Sequence, residues 1–216
     1  MKRFLLIVPS LFLHFSCSYA EPANLSLVKQ EVKHYHDSGL YAQELAQKIA
    51  EAQQFIIDKA KHNTTKARLA LVLDIDETSL SNYTKMAEHD FVTTREQLHE
   101  EILAANSPAI KPMLNLYNHA IKHGVKVFFI TGRNESERAA TQKNLNNAGY
   151  DNWAGLYLRP DNYKQPSIVP FKSQTRALIA QQGYTIIASI GDQDSDITGG
   201  YAEKGFKLPN PFYHLP

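Results

Sequence analysis

Two aspartates, Asp74 and Asp76, follow the unbroken apolar run Leu69-Ala70-Leu71-Val72-Leu73. Apolar residues without alternation suit a strand covered on both faces in a parallel sheet. Carboxylates two positions apart on extended chain point to the same side. In an open α/β sheet that side faces the crevice beyond the carboxyl ends of the strands. Two acids in such a place are costly unless a cation or hydrogen bonds compensate them. Oxygen-only ligands favour a hard cation, and a partly hydrated Mg2+ bridging carboxylate and phosphate fits that chemistry. A solvated loop after a buried strand would also account for Asp74-Ile75-Asp76-Glu77-Thr78, and this stretch alone does not decide between the two.

Further polar residues stand at related places. Thr131-Gly132-Arg133 follows Val125 to Ile130, and Gly191-Asp192-Gln193-Asp194-Ser195-Asp196 follows Thr185 to Ile190. Lys172 opens the helix that precedes the second of these strands. Right-handed crossovers would bring all three strand ends to one edge of a sheet. Each signal has a plain account by itself: a turn at Gly132, a surface lysine, a polar loop. Their recurrence at the ends of successive elements is what gives them weight.

The elements that must position these residues read as follows. Residues 21 to 38 begin loosely and carry a short helix around Leu25, Leu27 and Val28. Leu45, Ile49, Ala52 and Ile56 step by three and four, which predicts an amphipathic helix from Leu40 to Lys61. Residues 79–107 are too long for a plain strand-to-helix loop and predict a small cap, with a helix from Thr94 to Ala105 capped by Thr94 and Gln97. Helices are expected from Ala109 to His123, with Pro112 in the first turn, and from Asn134 to Ala148, stopped by Gly149. A short strand at Leu156 to Leu158 and a loop from Asp161 to Pro170 precede a helix from Phe171 to Gly183. The tail from Phe206 to Pro216 has three prolines and little periodicity. Strands alternating with helices give an α/β fold: a Rossmann-like, three-layer parallel sheet with helices on both faces, a mostly helical cap and an N-terminal helical extension.

The chain of 216 residues is long enough for one core, and 43% hydrophobic with 21% charged residues argues against general disorder. A net charge of +1 selects neither a nucleic acid polymer nor an anionic membrane as partner. Residues 1–20 read as a signal peptide: basic Met1-Lys2-Arg3, an apolar Phe4 to Phe15, and Ser18-Tyr19-Ala20 before a cleavage site at Glu21. That apolar stretch is short for a membrane span. Export to a periplasm or the medium is expected, with lipid anchoring at Cys17, the single cysteine, as the rival. Residues 21–216 are expected to form one domain; homo-oligomerisation is open.

Asp74-x-Asp76-x-Thr78, Thr131-Gly-Arg133, Lys172 and Gly191-Asp192-x-x-x-Asp196 resemble, in order, the four motifs of the haloacid dehalogenase superfamily. The likeness is closer to its acid phosphatase branch, which holds class B acid phosphatases and plant acid phosphatases related to vegetative storage proteins. Phe129 to Glu135, Asn144 to Tyr150, Tyr157-Leu158-Arg159, Gly191 to Asp196 and Phe206 to Pro211 carry it. The resemblance implies an Mg2+-dependent phosphomonoesterase. Asp74 would be the nucleophile forming an aspartyl-phosphate, and Asp76 the general acid and base. Mg2+ would sit on the Asp74 carboxylate, the Asp76 carbonyl and Asp192. Thr131, Gly132, Lys172 and Arg133 would bind phosphoryl oxygens, with Arg133 alternatively bracing the helix start. Asp196 would support the metal or pair with Lys172, and Thr78 would orient the first loop.

Small phosphate monoesters, nucleotides among them, are the implied substrates. Tyr83, Phe91 and Tyr163 are candidates either for an aromatic slot or for packing within the cap. Two other functions share these residues: a non-catalytic storage or phosphate-binding protein, and a phosphotransferase to alcohols. Some storage relatives in this branch depart from the motif at the nucleophile, whereas this chain has both Asp74 and Asp76.

Overall fold

A computed structural model describes residues 21–215; the signal-peptide expectation and Cys17 lie outside these residues. The elements in chain order are α1 (Leu25–Asp37), α2 (Leu40–Lys61), β1 (Arg68–Leu73), α3 (Tyr83–Glu88), α4 (Arg95–Leu103), α5 (Lys111–Lys122) and β2 (Lys126–Asn134). They are followed by α6 (Arg138–Asn147), β3 (Gly155–Arg159), α7 (Val169–Gln181), β4 (Tyr184–Gly191) and β5 (Lys204–Lys207). The strands form one five-stranded sheet in the order β3-β2-β1-β4-β5, and every pairing is parallel.

The order explains where a site must form. The chain builds outward from β1 through β2 to β3, then crosses back to place β4 on the other flank of β1. The crevice at such a reversal opens at the carboxyl ends of the flanking strands, here β1 and β4. Leu73, the last residue of β1, is level with Phe129 on β2 and Ile190 on β4. The residues just beyond those positions therefore share one edge.

Each face of the sheet has its own core, because strand side chains alternate. Leu71 and Leu73 pack with Leu45, Ile49 and Ile56 of α2 and Met113, Leu116 and Tyr117 of α5. Ala70 and Val72 face the other way, with Phe128, Ile130, Ile186 and Ile179 of α7. Complete burial of Leu71, Leu73 and Ala70 is why β1 reads as an unbroken apolar run. By contrast α1 fully buries no residue: Val32 and Tyr35 pack half-buried against the core, His36 stacks on Tyr83, and Lys29 and Lys33 each lie 2.9 Å from Asp90.

The structure revises several boundaries. The tail is not wholly aperiodic: Lys204–Lys207 pairs with β4 as a parallel edge strand. Four residues with one buried side chain, Phe206, are too few for periodicity to show. Helix α7 begins at Val169, so Pro170 lies in its first turn, where no backbone donor is missed. Strand β2 continues through Thr131-Gly132-Arg133, with an irregular register against β3 between Thr131 and Asn134. The capping residues Thr94 and Gln97 act as expected, with Gln97 N donating to Thr94 Oγ1 at 3.2 Å and Thr94 N to Gln97 Oε1 at 2.9 Å.

Candidate active site

Asp74 lies one residue past β1, and its N–H donates to Ile190 O at 3.0 Å, extending the ladder toward β4. Its carboxylate meets Lys172 Nζ at 2.8 Å; the same ammonium pairs with Asp196 Oδ1. All three side chains are buried. Asp192, one residue beyond β4, is 1% exposed. Oxygens of Asp74, Asp192 and Asp196 lie within 4.8 Å of one another, so these residues can hold a metal ion. Three buried carboxylates face one ammonium here, and an oxygen donor set of this kind suits a hard divalent cation.

The electrostatics follow from that imbalance. Burial, and then the charge of Asp196, push the Asp74 carboxyl well above the ordinary aspartate range, with Lys172 opposing. Burial and Asp196 also raise Asp192, while hydrogen bonds from Asn210 and Gln193 pull the other way. Burial works against the charge of Lys172, yet Asp196 and Asp74 hold it protonated, far above its usual range.

Asp76 occupies a different setting on the β2 side. Arg133 donates to it through Nη2 at 2.7 Å and Nε at 3.0 Å, and Asn82 Nδ2 donates at 2.8 Å. Burial would raise its carboxyl, but the guanidinium and these hydrogen bonds hold it below the ordinary range. The Arg133 side chain is 2% exposed and also reaches Thr141 Oγ1 at 3.3 Å. It is thus spent on Asp76 and α6, instead of standing free toward a phosphate. The Asp76 side chain keeps 27% of its exposure.

The remaining expected residues fall around these two groups. Thr131 is fully buried, and its Oγ1 accepts from Arg133 N at 3.1 Å, which leaves the hydroxyl proton to donate elsewhere. Gly132 lies between them in the irregular part of β2. Thr78 Oγ1 donates to Asp192 Oδ1 at 3.0 Å, which ties the first loop to the residue beyond β4. Gly191 is required by close approach: a Cβ there would stand 2.1 Å from Asp196 Oδ2.

Several contributing residues have no assigned role in the sequence reading. Asn82 ties the first loop together, donating to Asp76 and, through its N–H at 2.5 Å, to Glu77 Oε1. Glu77 is buried in the left-handed region at φ +52°. Burial and the neighbouring Asp76 push its carboxyl up to about 8. Buried Arg176 donates to the carbonyls of Asp196 and Gly200, both at 2.9 Å, and of Thr198, pinning the loop that carries Asp196. Gln193 and Asn210 both donate to Asp192 Oδ2, at 2.6 and 2.7 Å. Asn210 and Gln193 lie in the Phe206 to Pro211 and Gly191 to Asp196 segments already singled out in the sequence, though without a role; Asn82 and Arg176 carry no periodic or spacing signal, because amides and arginines are common on surfaces.

The aromatic slot is not formed from its three candidates. Tyr83 and Phe91 pack with Phe212, whose ring lies 6.1 Å from Phe91 and parallel to it. Tyr163 makes an edge contact with Phe171 instead. No described helix is long and apolar enough to cross a membrane.

A reversed parallel sheet with clustered carboxylates and one buried lysine at its switch point defines a doubly wound α/β protein. The chain belongs to the HAD superfamily, subfamily IIIB (Acid phosphatase), whose family model matches residues 18–216. It is 35% identical over 148 residues to "Acid phosphatase 1" of Solanum lycopersicum, covering 67% of this chain and 58% of that protein. It is 37% identical over 150 residues to "Stem 28 kDa glycoprotein" of Glycine max, covering 67% and 59%. "Vegetative storage protein 2" of Arabidopsis thaliana is 30% identical over 149 residues, covering 67% and 56%. The chain therefore spans less than two thirds of the length of these relatives. The fold matches that of the class C acid phosphatase from Bacillus anthracis with a TM-score of 0.72, at 22% identity over 87% of this chain and 86% of that one.

Proposed function

We propose that this protein is an exported, Mg2+-dependent acid phosphatase that hydrolyses small phosphate monoesters through an aspartyl-phosphate. The observation that carries the reading is the convergence of Asp74, Lys172, Asp192 and Asp196 in one buried cluster at the switch point of the sheet. Residues 21–216 act as one domain in this reading, with 79–107 as a small cap. Export rests on the pattern of residues 1–20.

Asp74 attacks phosphorus, and its Oδ1 is already oriented by Lys172. Lys172 and the Thr131 hydroxyl neutralise and orient phosphoryl oxygens. Asp74, the Asp76 carbonyl and Asp192 would hold Mg2+, whose positive charge would let a carboxylate approach an anionic phosphate. Asp196 supports this group through Lys172. Asp76 protonates the leaving oxygen and then activates water. Arg133 keeps it ionised at rest; an incoming phosphate adds like charge nearby and raises its proton affinity for the first half of the cycle.

The relatives named as storage proteins favour one second reading, a phosphate-binding protein without turnover. Transfer to an alcohol in place of water uses the same residues. The test is hydrolysis of p-nitrophenyl phosphate by EDTA-stripped protein, with and without added Mg2+. Turnover that Mg2+ restores supports the proposal; full turnover in EDTA removes the metal from it, and no turnover with Mg2+ favours the storage reading.

A further inference from the structure

We infer that the C-terminal strap tunes the ion selectivity of the Asp192 carboxylate, with Asn210 as the positioning residue. After β5 the chain stays on the catalytic edge, because Leu208 N donates to Gly191 O at 2.8 Å. Asn210 then turns on itself: Phe212 N donates to Asn210 Oδ1 at 2.8 Å. A backbone N–H can only donate, so this bond fixes which end of the amide is oxygen. Nδ2 is thereby aimed at Asp192 Oδ2, 2.7 Å away. Gln193 is set in the same way. Leu215 N donates to its Oε1 at 3.0 Å, which turns Nε2 onto Asp192 Oδ2 at 2.6 Å.

The strap thus directs two donors onto one oxygen of a carboxylate that is 1% exposed. The other oxygen, Oδ1, accepts from Thr78 Oγ1 at 3.0 Å. An ionised carboxylate offers about four lone-pair sites. Both on Oδ2 are filled, and one remains on Oδ1. Asp192 is presented as a one-oxygen ligand. Ca2+ accepts more oxygens, often two from one carboxylate, whereas Mg2+ takes single oxygens from one or two carboxylates and keeps its waters. Filling Oδ2 therefore favours the smaller ion. This inference rests on the metal reading proposed above.

Asn210→Ser provides the test. A serine hydroxyl still accepts from the N–H two residues on, but is too short to reach Asp192. EDTA-stripped wild type and N210S are titrated calorimetrically with MgCl2 and with CaCl2, and melted in EDTA. Wild type should prefer Mg2+. In N210S the Ca2+-to-Mg2+ affinity ratio should move toward Ca2+ by about tenfold, with a melting temperature in EDTA lowered by no more than the loss of one hydrogen bond. Asn210→Ala, which also removes the turn, should show the same shift in ratio with a lower melting temperature. An unchanged ratio in N210S, or an equal loss for both ions with a matching fall in melting temperature, overturns the inference. Wild-type protein that takes up neither ion overturns the metal reading itself, and that result is visible before any variant is made.

Discussion

Asp74 and Asp76 are two residues apart in the chain and sit in opposite electrostatic surroundings. On the β4 side, Asp74 shares a single ammonium with Asp196, with Asp192 close by, so negative charge is in excess. On the β2 side, Asp76 has a guanidinium nearly to itself and an amide from Asn82. One half of the site is short of positive charge, and the other is balanced. In the proposed mechanism the unbalanced half takes the cation and, with it, the phosphate, and the balanced half keeps a carboxylate until substrate disturbs it.

The comparison breaks most easily at Lys172. Lys172→Met leaves three buried carboxylates without their one cation, and turnover of p-nitrophenyl phosphate should fall by about 10^2–10^3-fold. A loss below threefold would mean that the ammonium is structural only. A smaller and different effect is expected at Arg133. The guanidinium holds Asp76 below the ordinary range, so Arg133→Met should raise its pKa. Water activation needs ionised Asp76, so the acidic limb of the kcat profile should move to higher pH, by about one pH unit or more. An unmoved limb would show that Asp76 does not titrate in the rate-limiting step.

The two halves also differ in how legible they were. Asp74, Asp192, Asp196 and Lys172 stand at the ends of elements whose periodicity is plain, and parallel topology brings those ends together. The sheet itself was readable for the same reason, since β1, β2 and β4 are buried on both faces. What holds each acid was not readable. Arg133 reaches Asp76 only because β2 runs on with an irregular register past Thr131, which no pattern in Thr-Gly-Arg requires. Asn82 and Asn210 come from the segment after β1 and the strap after β5, both with little periodicity, and their contacts depend on tertiary placement. The edge strand that delivers Asn210 is four residues with one buried side chain, too short for periodicity to show.

The central claim is that Asp74 becomes covalently phosphorylated. The most direct measurement is peptide mass spectrometry after acid quench of the Mg2+-loaded enzyme turning over p-nitrophenyl phosphate, with Asp74→Asn alongside. The account predicts a phosphoryl group on the peptide containing Asp74, and its absence, together with loss of turnover by about 10^4-fold or more, in the asparagine variant. A phosphoryl group on another side chain, or undiminished turnover in the variant, would contradict it.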